Sequence, residues 1–335
     1  MSSKKITIAD IAKKLDISPT TVSFVLNGRD SGISQDTKNK VLETAKAMGY
    51  KKSFLPSIPD DWTKVAYVTS KVEYFNFYTS FFAHVYNNLQ KRAQQEKFDL
   101  FLLELNPHEG YMNCHRRIEE IRSLGIEVCL SNSKDVAACL VAAGFKCILA
   151  QGGSMADCIC IYCDDYAAGR EAALHALEMG HKKAGMIFFS DNNNPRFKGF
   201  LETFTANGGT CDKKHIWFAS SNHDEAASHI EKMASSSEKL PSLFYCFADN
   251  LLFPALKGFS RAGFRTPDDI SLIGTDNLYW GSVATPAFTT VDLCEELFAE
   301  KLITAITHTK EGKVPYQLAV PVKLIPRETV KKIKN

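Results

Sequence analysis

Ile8-Ala9-Asp10-Ile11-Ala12-Lys13-Lys14-Leu15-Asp16-Ile17-Ser18-Pro19-Thr20-Thr21-Val22-Ser23-Phe24-Val25-Leu26-Asn27-Gly28 is the stretch that decides how this chain is read. Thr7 stands just before it and can cap the free amides of a first helical turn, with Asp10 reaching back as its capping-box partner. Ile8, Ile11, Ala12 and Leu15 recur at helical spacing and give one apolar face. Asp16-Ile17 ends that helix. Ser18 is a good cap for the next one, and proline is tolerated at a first helical position. Val22, Val25 and Leu26 form the second stripe, which Asn27-Gly28 stops. Two short helices joined by a tight turn make a helix-turn-helix.

A third helix is expected from Ser34 as cap, through Val41, Leu42, Ala45 and Met48, to a stop at Gly49. The three apolar stripes can close one small core. Pro19, Thr20, Thr21, Ser23, Phe24 and Asn27 are then left outward on the second helix. None of them is a carboxylate that would repel phosphate. A recognition helix sets such residues against base edges in a major groove. Thr20 suits a base edge and Phe24 a thymine methyl. Thr7, Thr21, Ser23 and Asn27, with Lys4 and Lys5, suit backbone phosphates. The alternative is a small helical protein-interaction domain.

Charge favours the nucleic-acid reading. Residues 1–52 carry ten Lys/Arg and five Asp/Glu, so the overall net charge of +2 leaves about −3 for the rest of the 335 residues. A basic head on a mildly acidic body is how a nucleic-acid-binding module joined to another domain looks. No apolar run approaches the ~18 residues that a bilayer requires. The polar N-terminus lacks the apolar block of an export signal. A cytoplasmic protein with reduced thiols is expected, since the ten cysteines follow no framework spacing.

Residues 53–63, with Pro56 and Pro59, interrupt the periodic pattern and read as a linker. Beyond them the chain alternates. Strands are expected at 65–68, 100–103, 128–130, 147–149, 184–189, 216–218, 243–247 and 270–274. Helices are expected at 80–95, 112–124, 135–144, 166–179, 196–206, 223–234 and 250–262. Such βα alternation implies parallel sheets covered by helices on both faces, with ligands outside the carboxyl ends of the strands. Arg196 opens a helix after a polar loop, where a guanidinium could fork onto hydroxyls or a carboxylate. The competing reading is an exposed arginine at a helix start. Asp276 follows the strand at 270–274 directly and can accept two hydroxyls, or cap the next turn. Asp164 admits the same ligand reading, against one in which it only ties the crossover. Phe81, Phe82 and Trp280 could stack on a ligand face, although Phe81 and Phe82 also fit a packed helix face. Cys158 and Cys160 share a strand face, but a metal site lacks further ligands at a typical spacing. No nucleophile, phosphate-loop or dinucleotide motif stands in the sequence, which argues against an enzyme.

These motifs together resemble the lactose-repressor (LacI/GalR) family of bacterial transcription regulators. The likeness begins in the head at 8–12 and 18–27, continues through Ser34, Thr37, Val41, Ala45 and Gly49-Tyr50, and extends over nearly the whole chain. In the body it is carried by Tyr162-Cys163-Asp164-Asp165, Gly180-His181-Lys182-Lys183, Arg196-Phe197-Lys198-Gly199-Phe200, Phe247-Ala248-Asp249, Pro267-Asp268-Asp269-Ile270-Ser271-Leu272-Ile273-Gly274-Thr275-Asp276-Asn277 and Pro286-Ala287-Phe288-Thr289-Thr290-Val291. By this resemblance the fold is α/β: a three-helix head on a two-subdomain body like the periplasmic binding proteins. The head would be 1–52, the linker 53–63 and the body 64–335. The N-subdomain would hold about 64–163 and 292–321, and the C-subdomain about 164–291 and 322–331.

The resemblance also implies a function. It suggests a ligand-responsive, sequence-specific repressor, acting as a homodimer on a palindromic operator in double-stranded DNA. The effector would be a small molecule, a sugar or sugar derivative, held by Phe81, Phe82, Gln151, Asp164, Arg196, Asp249, Asp276 and Trp280. No cofactor or metal is implied, and no membrane partner. The linker departs from the family pattern: it lacks the Ala-Arg-x-Leu string, and Leu55 or Ile58 is left as the candidate for an apolar wedge in a minor groove. That departure motivates the alternative of a cytosolic sensing protein whose head no longer reads DNA.

Overall fold

A computed structural model describes residues 6–26, 32–50, 62–70, 81–189 and 194–333. The chain divides into two units, Met1–Asp60 and Asp61–Asn335. Expectations that fall on Lys4, Lys5, Asn27, Leu55 and most of the linker lie outside the described residues.

In the first unit, α1 (Ile8–Leu15) starts as its sequence dictates. Thr7 Oγ1 accepts from the Asp10 amide at 3.3 Å, and the Thr7 amide donates to Asp10 Oδ2 at 2.8 Å. Helix α2 (Pro19–Leu26) opens on Ser18, whose Oγ accepts from the Thr21 amide at 3.0 Å. Helix α3 (Gln35–Ala47) is capped by Ser34. Ile11, Ala12, Val22, Val25, Val41 and Ala45 close the core, with Ile6, Leu15, Met48 and Tyr50 packed around it. Leu42 corrects the expected third stripe: it is 52% exposed. With Val41 and Ala45 turned inward, the next position in sequence points about 100° away from them.

The second unit holds two six-stranded sheets, one per lobe. The first lobe is built from β1 (Thr63–Thr69), α4 (Phe81–Ala93), β2 (Phe98–Glu104), α5 (Tyr111–Ser123), β3 (Val128–Ser131), α6 (Lys134–Ala142), β4 (Lys146–Ala150) and β5 (Ile159–Cys163). The second is built from α7 (Asp165–Glu178), β6 (Ala184–Phe188), α8 (Pro195–Ala206), β7 (Ile216–Phe218), α9 (His223–Ser236), β8 (Leu243–Cys246), α10 (Asp249–Arg261), β9 (Ser271–Thr275), α11 (Tyr279–Val283) and β10 (Thr289–Asp292). The chain then returns to the first lobe with α12 (Glu295–Lys310) and β11 (Gln317–Val320), and ends in the second with β12 (Lys323–Ile325).

Strand order is β11-β5-β4-β3-β1-β2 in the first sheet and β12-β10-β9-β8-β6-β7 in the second. Among the described residues every pairing is parallel except that of β10 with β12. The chain therefore passes between lobes three times, at 163–165, 292–295 and 320–323. Parallel strands buried on both faces read as near-continuous apolar runs, and Val65–Val68, Ile148–Ala150 and Met186–Phe188 are all buried. No element is expected from sequence beyond 274. The structure places α11, β10, α12, β11 and β12 there. Among the described residues no helix is long and apolar enough to cross a membrane. All ten cysteines carry free thiols.

Candidate functional site

The strand–helix turns at the carboxyl ends of the body sheets bring four polar side chains together. Asp164-Asp165 follows β5. Asp164 is the cap: its Oδ1 accepts from the Ala167 amide at 2.9 Å. That leaves Asp165, the first helical residue of α7, free to turn its carboxylate elsewhere. It meets Arg196 at the start of α8, whose Nε donates to Asp165 Oδ1 at 2.7 Å. One terminal nitrogen of the same guanidinium donates to the Phe247 carbonyl at 2.9 Å and to Asp276 Oδ1 at 3.3 Å. The Phe247 ring lies 4.7 Å from the guanidinium carbon, within cation–π range. Gln151, at the end of β4 in the other lobe, donates from Nε2 to Asp165 Oδ2 at 2.9 Å and accepts from the Cys163 amide at 2.7 Å. The chain Gln151–Asp165–Arg196–Asp276 thus links both lobes beside a crossing strand.

Helix packing sets this geometry. Gly169 on α7 and Gly199 on α8 face each other where the two helices cross. A Cβ on Gly169 would lie 2.0 Å from the Arg196 carbonyl oxygen, and one on Gly199 would lie 2.0 Å from that of Tyr166. Only hydrogen at both positions lets the backbones approach so closely. That approach brings the first turns of the two helices, and so Asp165 and Arg196, into contact.

The site is dry and strained. The Arg196 side chain is 8% exposed and that of Asp276 11%. Burial works to discharge Arg196, but Asp165 and Asp276 more than offset it and hold its pKa above the ordinary arginine value. Burial pushes Asp276 up to about 6, against the opposing pull of Arg196. Gln151 (φ 81°), Asp276 (φ 112°) and Asn277 (φ 54°) all occupy left-handed backbone. Each non-glycine residue held there costs ~1–3 kcal/mol, and such residues cluster at ligand clamps. Asn277 uses its conformation to hold the lobe crossing. Its Nδ2 donates to Asp292 at 3.2 Å and its Oδ1 accepts from Arg327 at 2.6 Å.

Other expected contacts sit elsewhere. Asp249 is 1% exposed beneath the site. It accepts from Thr290 Oγ1 at 2.7 Å and from the Leu278 amide at 2.9 Å, tying α10 to β10 and to the loop after Asp276. Phe81 is buried, edge-on to Phe298 of α12 and to Phe82, each at 5.4 Å. Phe82 is half-buried on the same core. Trp280 is 44% exposed on α11 beside Tyr279, which is 63% exposed. Asp165 and Phe247 join the Arg196 group without having been picked out from sequence. For Asp165 a signal existed: where one of two adjacent aspartates caps a helix, the other is released.

Burial pushes the Asp249 carboxyl up to about 8, helped by the nearby Asp276 charge and opposed by its two hydrogen bonds. The folded chain then keeps this proton at pH values where the unfolded chain, near the ordinary 3.8, has lost it. The raised pKa makes the folded state the better proton binder, so stability falls as pH rises from about 4 to 8, by ~1.4 kcal/mol per pH unit. Asp276 adds a slope of the same sign, ending near pH 6. Asn is isosteric with the protonated acid. Asp249→Asn is expected to remove the ~1.4 kcal/mol difference between pH 6.5 and 7.5, as read from urea midpoints. An unchanged slope would mean that the folded acid is already ionised.

In the head, Pro19 and Thr20 are exposed while Thr21, Ser23 and Phe24 are half-buried. The Thr21 hydroxyl lies 2.8 Å from Ser18 Oγ, and the Thr7 hydroxyl donates to Asp10 at 2.7 Å. Both therefore serve helix starts. Pro19, Thr20, Ser23 and Phe24 follow one another at helical spacing on a single side of α2.

Residues 7–53 match the model of the bacterial regulatory proteins of the lacI family, and residues 173–330 match a periplasmic binding protein-like domain. The HTH-type transcriptional repressor PurR of Mannheimia succiniciproducens is 26% identical over 341 residues, covering 98% of this chain and 99% of that protein. Among solved structures, a transcriptional regulator CelR–cellobiose complex superposes with TM-score 0.68 at 20% identity, covering 97% of this chain and 99% of the other. The lac repressor dimer bound to operator and the anti-inducer ONPF gives TM-score 0.68 at 17% identity, covering 98% and 100%.

Proposed function

Because residues 7–53 match the bacterial regulatory proteins of the lacI family and residues 173–330 a periplasmic binding protein-like domain, we propose that this chain is an effector-gated repressor whose ligand is a sugar or sugar derivative bound at Arg196. The observation that carries the ligand reading is the buried group of one guanidinium between two carboxylates, joined across the lobes by Gln151. With two carboxylates and one cation, the group suits a neutral molecule rich in hydroxyls. Hydroxyls can donate to Asp276 and Asp165 and accept from Arg196. A ligand carboxylate or phosphate would meet Asp165 and Asp276 as like charges. The cellobiose named for one solved relative fits that class.

Binding across Gln151 and Arg196 would favour one relation of the lobes. It would shift DNA affinity only by the ligand's differential affinity for the two lobe arrangements. On the DNA side, α2 would lie in a major groove with Thr20 at a base edge and Pro19, Ser23 and Phe24 beside it. The homodimer that a palindromic operator requires would form through Phe253, Tyr279, Trp280 and Val283, exposed apolar side chains of the second lobe. The Phe253 ring lies 4.7 Å from that of Phe288, and α11 rests on the same ring at Gly281. Trp280 is thus better placed to meet a second copy than a ligand.

Thr20→Ala tests the reading head. It is expected to cost ~1–3 kcal/mol of operator affinity and to relax specificity at one base pair, with the body's thermal unfolding unchanged. Equal affinity in competition binding would remove Thr20 from the base-reading set. Duplex binding by the parent protein with a steep salt dependence and no sequence preference would instead favour a sensing protein that has lost its operator.

A further inference from the structure

The second lobe carries another cavity at the opposite end of its sheet. Lys183 precedes β6, Lys214 and His215 precede β7, and Lys239 lies before β8, so these residues gather at the amino ends of the strands. Arg196 and Asp276 lie at the carboxyl ends, a strand length away. The cavity has a volume of about 300 Å³, and Thr210 and Asp212 complete its polar lining. That volume is at the small end for ligand sites.

Two observations point to a ligand. The first is charge. Three lysines line the cavity against one carboxylate, and that carboxylate is already engaged: Asp212 accepts from the Lys214 amide at 3.2 Å and lies 3.6 Å from its ammonium. Among the described residues, Lys183 and Lys239 have no carboxylate partner. The second is an orphaned polar atom. His215 is 7% exposed, and its Nε2 is fully buried with no hydrogen-bond partner. An unmet polar atom of this kind carries a cost of ~1–3 kcal/mol unless something binds it. Burial and the Lys214 and Lys183 charges lower its pKa. An anion in the cavity would give the lysines a counter-charge.

We propose that this cavity is a second ligand site, separate from the Arg196 cleft, for a phosphate-type dianion held by Lys183, Lys214 and Lys239. The shared chemistry is a tetrahedral oxyanion, whether free phosphate or the phosphate of a small ester. A site of this size is closed to a duplex, whose phosphates the head is expected to contact instead.

Calorimetric titration of the full chain with inorganic phosphate, glucose 6-phosphate and glucose tests the proposal. Saturable binding with a Kd of about 1 mM is expected for one or both phosphate compounds. Lys183→Gln/Lys239→Gln is expected to weaken it at least tenfold. Both side chains are exposed, so the fold should persist, and an unchanged melting temperature checks this. A phosphate Kd equal to or below that of the ester identifies the free ion as the occupant; a tenfold tighter ester identifies the ester. Histidine NMR resonances supply a second readout, with His215 shifting on phosphate addition in the parent and not in the double variant. Absence of saturation by about 10 mM, or binding of unchanged strength in the double variant, would overturn the proposal. The latter result would place the anion elsewhere, in the basic head for instance.

Discussion

Arg196→Ala is expected to cost the body ~3–5 kcal/mol and to abolish any ligand-induced rise in melting temperature. The size follows from the surroundings. Arg196 is the cation beside two carboxylates, its own side chain 8% exposed and those of Asp165 and Asp276 21% and 11%. Removing it leaves Asp165 and Asp276 facing each other across a cavity, with no counter-charge and little water. Asp276, already pushed up to about 6 by burial, would rise further. The folded variant would then bind protons more tightly than the unfolded chain over a wider range. The destabilisation should therefore grow with pH. A companion variant, Arg196→Ala with Asp165→Asn and Asp276→Asn, separates the two effects. It is expected to recover most of the stability and none of the ligand response. Urea unfolding at pH 6 and 8, with and without a panel of neutral sugars, reads both. A ligand response that survives in the companion variant would show that this group is not the clamp.

Gly199→Ala is expected to be almost as damaging without touching a charge. Its new methyl would lie 2.0 Å from the Tyr166 carbonyl oxygen, which is backbone and cannot swing aside as a side chain could. Helix α8 must move away from α7, at a cost of ~1–3 kcal/mol for overpacking. The movement carries Arg196 away from Asp165. Ligand affinity is expected to fall about tenfold, equivalent to ~1.4 kcal/mol. Gly169→Ala attacks the same crossing from the other helix, so the double variant should be less than additive. Full additivity in denaturant unfolding would mean that the two glycines do not share one contact.

The head was legible because its signals are local. Thr7, Ser18 and Ser34 each sit three residues before the amide that they cap, and the apolar spacings of α1 and α2 agree with the buried set. The alternating strands and helices up to residue 274 were legible for a related reason, since buried parallel strands are short apolar blocks between amphipathic helices. Strands β11 and β12 gave no such signal. They are three or four residues long and mostly unburied, so neither alternation nor an apolar block marks them. Helix α12 does carry a helical stripe, Phe298, Leu302, Ile303 and Ile306, so its spacing marks a helix.

The site was legible at Arg196, Asp276 and Gln151, which the structure brings into one network. Asp164 and Phe81 stand out by residue type and position and Asp249 by the family resemblance, but their side chains serve a helix cap, a core contact and a buried tie. Those roles depend on which carboxylate the helix start consumes and on what lies behind each strand end. One-dimensional spacing does not encode either.

Recovery of genomic DNA fragments by the purified full-length protein at physiological salt tests the central claim most directly. The account predicts a recurring palindrome, with half-sites about one helical turn or a multiple apart, whose recovery changes when a sugar that raises the body's melting temperature is added. Uniform recovery of all fragments, falling steeply with salt and indifferent to every such ligand, would contradict it.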